Sequence, residues 1–391
     1  MVHIAYPFLI SLAAALVVRD KAPQPLSFTL NKKSQPKLVH PHHPLGKSDP
    51  TANDSKVESN SSDQDVKIFA DGDTYLIDLG VIDENQKLQV VLDTGSADLW
   101  VDAKQLKDTK GFTKNGQSFG IAYGDRSTVR GSFGTSSVWL DNGVEVKDLQ
   151  WALATDVRLT SGYIPGILGV GKEINEAGYY STHKTYPNFT QKLKDEGYIK
   201  SNSYSYYLNK LGTATGTVTF GGRDLAKVKG PVATITPSTS DDDARFDSIT
   251  VSKISTSDGN SAGSVEAILD TGTTLTFLPY DTVNALSVPG VYADWSGTFY
   301  IESNPPSDKY VSYWFNDTEI KVSYADLAIP ETDDNGNPTG RFIFGIQGSS
   351  GGTYILGDTF LRSAYITVNH DTNQVLISDV NYTDAENIVS I

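Results

Sequence analysis

Two short segments of this sequence carry aspartate in the same setting. Val91-Leu92-Asp93-Thr94-Gly95-Ser96 and Ile268-Leu269-Asp270-Thr271-Gly272-Thr273 each place an apolar pair before Asp-Thr-Gly and a hydroxyl residue after it, 177 residues apart. Two carboxylates brought close together cannot both ionise cheaply, so they share one proton and titrate as a pair. The ionised member of such a pair is a general base, and the protonated member a general acid.

That chemistry needs elements that hold the two loops rigidly against each other. Each segment reads as the end of a buried strand that delivers Asp into a tight loop. Thr is placed to hydrogen-bond locally, and Gly permits backbone geometry that other residues resist. A second matched element follows each loop. Gly166-Ile167-Leu168-Gly169 ends 76 residues after Asp93, and Tyr354-Ile355-Leu356-Gly357 ends 87 residues after Asp270. These apolar elements are expected to pack beside the loops and stiffen them. A lone Asp-Thr-Gly arises by chance in about one chain in ten of this length. Two copies with matching flanks point instead to a duplicated lobe. A pair of structural Asx turns is the plainer alternative, but turns need neither duplication nor matched scaffolds.

The rest of the body is strand-like. TYLIDLGVI, KLQVVLD, GSFGTSSVWL, SYSYYLN, GTVTFGG and VEAILD are short β-branched or aromatic runs bounded by Gly, Asn and Asp. Residues 187–195 and 279–286 are the short helix candidates. The expected fold is mostly β, in two related lobes.

The ordered set of motifs resembles the pepsin-like aspartic proteases, most closely the secreted fungal branch. Asp93-Thr94-Gly95-Ser96 with Leu99-Trp100-Val101, and Asp270-Thr271-Gly272-Thr273-Thr274, resemble that family's two active-site loops. Tyr123-Gly124, with Asp125 and Ser127, resembles its flap hairpin, and Ile355-Leu356-Gly357-Asp358 with Phe360-Leu361-Arg362 its C-lobe segment. The resemblance runs from about Thr74 to Ile377. It implies a bilobal fold with a cleft between the lobes, and direct attack of water on a peptide bond at acidic pH. It also implies that Ser96 and Thr273 support the carboxylates with Gly95 and Gly272, that Tyr123 closes over substrate near Trp100, and that Gly124, Asp125 and Thr274 meet the peptide. One flap position departs from the pattern: Arg126 stands where the family has Gly. Either the turn type differs, or Arg126 projects outward without consequence, as hairpin tips tolerate long polar side chains; attraction for acidic substrate residues is the sharper alternative.

Charge is unevenly spread. The 391 residues carry a formal charge of -15, but residues 19–50 are at +4, 51–64 at -2 and 65–391 at -17. The expected division is a signal peptide over 1–18, a prosegment and processing linker over 19–64, an N-terminal lobe over 65–232 and a C-terminal lobe over 233–391. The apolar run from Ala5 to Val18 is too short to span a bilayer but suits a signal sequence. A buried first strand is its bland alternative. A basic arm ahead of an acidic body suits an intramolecular cover that acid loosens. The family implies that a prosegment lysine pairs with the dyad, and Lys32, Lys33 and Lys37 are the candidates. Cleavage by the enzyme itself is expected within Thr51–Asp65.

Zero cysteines exclude disulfides, Cys nucleophiles and Cys-bearing zinc sites. The acidic balance argues against nucleic acid as a partner. No cofactor or metal is expected, since the body holds only His183 and His370. His40, His42 and His43 could bind a metal adventitiously. The C-terminus shows no anchor, so a secreted monomer acting on proteins or peptides is expected, with the vacuole as the other destination. Sequons at Asn188, Asn316 and Asn381 are candidate glycosylation sites, with Asn53 and Asn60 in the linker. A glycosidase or two-metal hydrolase lacks a reason for duplicated Asp-Thr-Gly loops. A non-catalytic peptide-binding protein of the same fold is the main rival.

Overall fold

The computed structural model describes residues 22–39, 68–160, 163–239, 244–333, 336–351 and 353–391, with backbone alone for 34–39 and 68–73. The expected signal peptide, the expected processing linker with Asn53 and Asn60, and the His40–His43 cluster lie outside the described residues.

The fold is mostly β, as the strand-like runs require. In the N-terminal lobe β2 (Ile68–Val81) pairs antiparallel with β3 (Asp83–Asp93). The last four residues of β3 are buried, because it runs into the centre of the lobe. There it lies parallel to β8 (Gly166–Gly169), with Val91 opposite Ile167 and Asp93 opposite Gly169. On the other side of β8 runs β4 (Leu99–Asp102), antiparallel, with Trp100 opposite Ile167. The Ile-Leu-Gly element is thus clasped between the strands entering and leaving the first Asp loop. The C-terminal lobe repeats the arrangement: Ile355–Leu356 lies parallel to Val265–Leu269 and antiparallel to Thr276–Pro279. Both helix candidates form, at Phe189–Asp195 and Tyr280–Leu286.

A long hairpin, β5 (Thr113–Ala122) and β6 (Thr128–Leu140), projects from the N-terminal lobe. It is backed by β7 (Glu145–Arg158), which pairs with β6 as far as Thr128 opposite Arg158. The lobes are joined by β9 (Ser203–Tyr207), which bonds to Ala364–Asn369 on one edge and to β10 (Thr215–Phe220) on the other. An ion cluster closes the same seam. Buried Asp247 forms an ion pair with Lys172 Nζ at 3.7 Å and meets His370 Nε2 at 3.0 Å.

The N-terminal arm is not a detached tail in its described part. β1 (Leu26–Val39) pairs first with β10, Leu26 opposite Phe220, and then with β2, Val39 opposite Ile68. β2 in turn pairs with Ala328–Thr332 of the C-terminal lobe, Phe69 opposite Thr332. A ladder of backbone bonds therefore runs from the arm through β2 to the second lobe.

Two expectations are corrected here. Asn188 cannot carry a glycan in this fold. It is 2% exposed and caps the helix that follows it: Oδ1 accepts from Gln191 N at 3.2 Å and Nδ2 donates to Gly171 O at 2.8 Å. Here the Asn of the sequon serves as a helix cap. Asn316 stands exposed in a turn, and Asn381 is exposed with Nδ2 donating to Ala226 O at 2.9 Å. Lys32 is also engaged away from the dyad. Its ammonium donates to Lys210 O at 2.8 Å and Thr213 Oγ1 at 3.0 Å, 5.4 Å from the centre of the Tyr75 ring. Lys33 is exposed, and the Lys37 side chain lies outside the described residues.

Candidate active site

Asp93 and Asp270 sit at matching loop positions, 5% and 9% exposed. Each carboxylate is held by its own loop. Gly95 N donates to Asp93 Oδ1 at 2.9 Å and Gly272 N to Asp270 Oδ1 at 2.8 Å. Ser96 Oγ donates to Asp93 Oδ2, and Thr273 Oγ1 to Asp270 Oδ2 at 2.6 Å. Both oxygens of both carboxylates are therefore fixed by equivalent donors.

The glycines also keep the carboxylates face to face. A Cβ on Gly95 would stand 2.6 Å from Asp270 Oδ1, and one on Gly272 would stand 2.7 Å from Asp93 Oδ1. Only hydrogen fits at either point. Burial first, and then the negative charge of Asp270, hold the Asp93 carboxyl well above the usual carboxylate range. The Ser96 and Gly95 donors pull the other way. The outcome is a pair that keeps a proton where isolated carboxylates would have lost theirs.

The threonines of the two loops do something the sequence reading missed. They do not bond locally. Thr94 Oγ1 donates to Leu269 O at 2.8 Å and accepts from Thr271 N at 3.0 Å, while Thr271 Oγ1 donates to Leu92 O at 2.7 Å and accepts from Thr94 N at 3.2 Å. Four buried bonds cross between the lobes directly behind the dyad. The signal was present in the sequence, since Thr recurs at the same register of both repeats, but nothing local says that the partner is the other copy. Behind each loop, Val170 N donates to Asp93 O at 3.0 Å and Asp358 N donates to Thr273 O at 2.9 Å, so the Ile-Leu-Gly elements stiffen the loops as expected.

Over this pair hangs the β5–β6 hairpin. Tyr123 OH accepts from Trp100 Nε1 at 2.6 Å. Burial, and next the charge of Asp93, push the Tyr123 phenol well above its ordinary value, so it stays protonated beside the dyad. Trp100, Phe119, Val129 and Phe133 form an apolar cluster under the hairpin, with Ile121, Tyr123, Val157, Leu159 and Ile164 packed against it.

Two aspartates sharing a buried site, mirrored donors and an aromatic lid are what acid–base attack of water on an amide requires. The profile of the eukaryotic aspartyl protease family matches residues 74–380. The chain belongs to this family.

Curated relatives of this aspartyl protease agree. It is 32% identical to the acid protease of Saccharomycopsis fibuligera over 79% of this chain and 81% of that protein. It is 32% identical to secreted aspartic protease 1 of Candida albicans, over 81% and 84% of the two chains. An aspartic proteinase of Irpex lacteus shares the fold, with a TM-score of 0.65 at 21% identity, covering 80% of this chain and 96% of that one. The chain is an aspartic-type endopeptidase of bilobal pepsin-like fold.

The remaining expected site residues fall into two groups. Thr274 is buried, and its hydroxyl has no protein partner among the described residues, as a group reserved for substrate would be. Asp125 instead is engaged within the protein, on Ser127 and Thr160.

Arg126 shows how the protease accommodates its departure from the family pattern. Arg126 N donates to Tyr123 O at 3.0 Å and Tyr123 N to Ser127 O at 2.9 Å, which closes a three-residue hairpin loop. The third loop residue of that turn is left-handed, and Arg126 has φ 66. The turn that glycine would serve is therefore kept, and of the alternatives for Arg126 the altered turn does not hold. A left-handed non-glycine residue costs about 1–2 kcal/mol, and glycine returns part of that as entropy of the unfolded chain. Arg126→Gly should stabilise the folded chain by about 1 kcal/mol or less in denaturant unfolding. A loss of stability would show that the Arg126 side chain supplies more than its backbone costs.

Proposed function

We propose that this endopeptidase works at acidic pH, is exported, and is made as a self-inhibited precursor that prefers hydrophobic residues at the scissile bond. The observation that carries the reading is the pair Asp93 and Asp270, held face to face by mirrored donors. Burial and the neighbouring Asp270 charge raise the Asp93 carboxyl, so the pair holds one proton between its two members. The protonated member donates toward the carbonyl oxygen while the ionised member takes a proton from the attacking water. Collapse of the tetrahedral diol then expels the amine. The lid around Tyr123 keeps bulk water out. The apolar cluster beneath it, including Phe119 and packed by Ile121, supports apolar side chains beside the cleaved bond.

The decisive test is digestion of a denatured protein between pH 3 and 5. Cleavage blocked by a peptide mimic bearing a central hydroxyl is the expected result. Binding of that mimic without cleavage would leave a peptide-binding protein.

The precursor reading is supported by the ladder from β1 through β2 to the C-terminal lobe, and by the basic arm facing an acidic body. Export is supported by the apolar run 5–18 and by relatives named as secreted. Cutting within Thr51–Asp65 would sever β1 from β2 covalently and leave β1 held only by pairing. Full-length wild type brought to pH 4 should cut itself in that segment. The doubly substituted D93N/D270N chain should stay intact alone, and its processing in isolation would overturn the autocatalytic step.

A further inference from the structure

The flap tip is tied to the N-terminal lobe by one small network that the catalytic reading does not use. Ser127 N donates to Asp125 Oδ1 at 2.8 Å, and Ser127 Oγ to Asp125 Oδ2 at 2.8 Å. Thr160, in the loop that follows β7, joins both. Its Oγ1 lies 2.8 Å from Asp125 Oδ2 and 3.0 Å from Asp125 O, and its backbone N donates to Ser127 Oγ at 3.0 Å. Thr160 Oγ1 also lies 3.2 Å from Ser127 Oγ.

The position of this network gives it meaning. Backbone pairing between β6 and β7 ends at Thr128 opposite Arg158, so beyond that point, among the described residues, bonds that involve side chains couple the flap tip to the body. Ser127 is 3% exposed, which shields its bonds from water. Next to Thr160 in sequence, Leu159 packs on the apolar cluster that also receives Tyr123, as does Ile164 a few residues on. Thr160 thus links the lid to the wall of the pocket it covers. Tyr123, two residues before Asp125, is carried by the same tip.

We propose that Thr160 is a flap-positioning residue: its hydroxyl and amide latch Asp125 and Ser127, and so set the position of Tyr123 over the dyad before substrate arrives. The inference rests on the endopeptidase reading and deepens it. Without the latch, the tip spends more time away from the binding-competent position. Apparent affinity falls by the competent fraction, while the rate from the filled, closed site stays the same. Loss of a hydrogen bond in so shielded a place is strong enough for a change of about tenfold.

The test uses the full chain after acid activation. Thr160→Val removes the hydroxyl at nearly constant shape, and Thr160→Ser keeps it. For a quenched-fluorescence peptide, Thr160→Val should raise KM about tenfold with kcat within twofold of wild type, and Thr160→Ser should restore KM. Amide hydrogen exchange over residues 119–130 should quicken in Thr160→Val and return to wild-type protection with a hydroxyl-bearing inhibitor bound. An unchanged KM with unchanged exchange would overturn the latch. So would a fall in kcat alone, or a Thr160→Ser chain as impaired as Thr160→Val. If Thr160→Val does not fold, Ser127→Ala removes the other half of the latch and should show the same split. If wild type cleaves nothing, the endopeptidase reading fails, and the exchange comparison still decides the latch.

Discussion

Asp93→Asn and Asp270→Asn should each lower kcat at pH 4 by about 10⁴-fold, with the melting temperature held or raised. Positioned acid–base groups contribute about 10²–10⁴ apiece, and here one shared proton serves both roles, so losing either carboxyl disables both. Asn keeps the shape of the side chain, with its oxygen accepting from Gly95 N or Gly272 N and its amide nitrogen donating to the hydroxyl of Ser96 or Thr273, which turns to accept. It cannot ionise, and it removes like-charge repulsion from a buried pair. The double variant should be hardly slower than either single one, because the two groups act as a unit. Residual kcat above a hundredth of wild type in either single variant would show that the pair is not the acid–base centre.

Folding stability should be greatest in acid and should fall as pH rises through about 4 to 7. The reason lies beside the first active-site loop. Asp98 is 1% exposed, with Oδ1 accepting from Tyr186 OH at 2.6 Å and Oδ2 from Ala177 N at 2.8 Å. Burial outweighs those donors and lifts its carboxyl from 3.8 to about 6. Glu176 is fully buried; Oε2 accepts from Tyr186 N at 2.9 Å, while Oε1 has no partner among the described residues. Burial lifts it from 4.5 to about 10. Asp93 shifts in the same direction.

A raised carboxyl means that the folded chain binds protons the unfolded chain has already released. Raising the pH therefore draws the equilibrium toward the unfolded state. For Asp98 alone the loss is roughly 3 kcal/mol once the pH passes its raised value. Buried Asp247 and exposed Asp371 are both lowered against the pull of desolvation, by His370 and Lys172 in one case and chiefly by Lys194 and the Asn202 amide in the other. Their contribution has the opposite sign and is lost only in strong acid. Melting temperatures across pH 3–8 should peak on the acid side. Glu176→Gln should flatten the fall above pH 5 while changing little at pH 4. A wild-type melting temperature that climbs from pH 4 to 7 would refute this account.

Much of the frame was legible because it was written locally and twice. The apolar residues before each Asp-Thr-Gly form strand ends, both Ile-Leu-Gly elements lie beside the loops, and both short helices form within the candidate segments 187–195 and 279–286. What escaped was set by contacts far apart in sequence. Thr94 finds Leu269, Asp98 finds Tyr186 and Asp125 finds Thr160, and no local spacing announces such partners. Asn188 and Lys32 were misjudged for the same reason. A sequon and a lysine carry no mark of whether tertiary packing has already taken their polar atoms.

The threonine bonds behind the dyad give the molecule a pivot. They tie Leu92 to Thr271 and Leu269 to Thr94 where the lobes touch directly behind the carboxylates. A rotation of one lobe about that point would move the outer walls of the cleft a long way, and the two carboxylates hardly at all. Such a rotation would widen or narrow the gap for peptides of different bulk with the reacting atoms still in register. A door swings in the same way, its edge sweeping the floor while its hinge pin stays put.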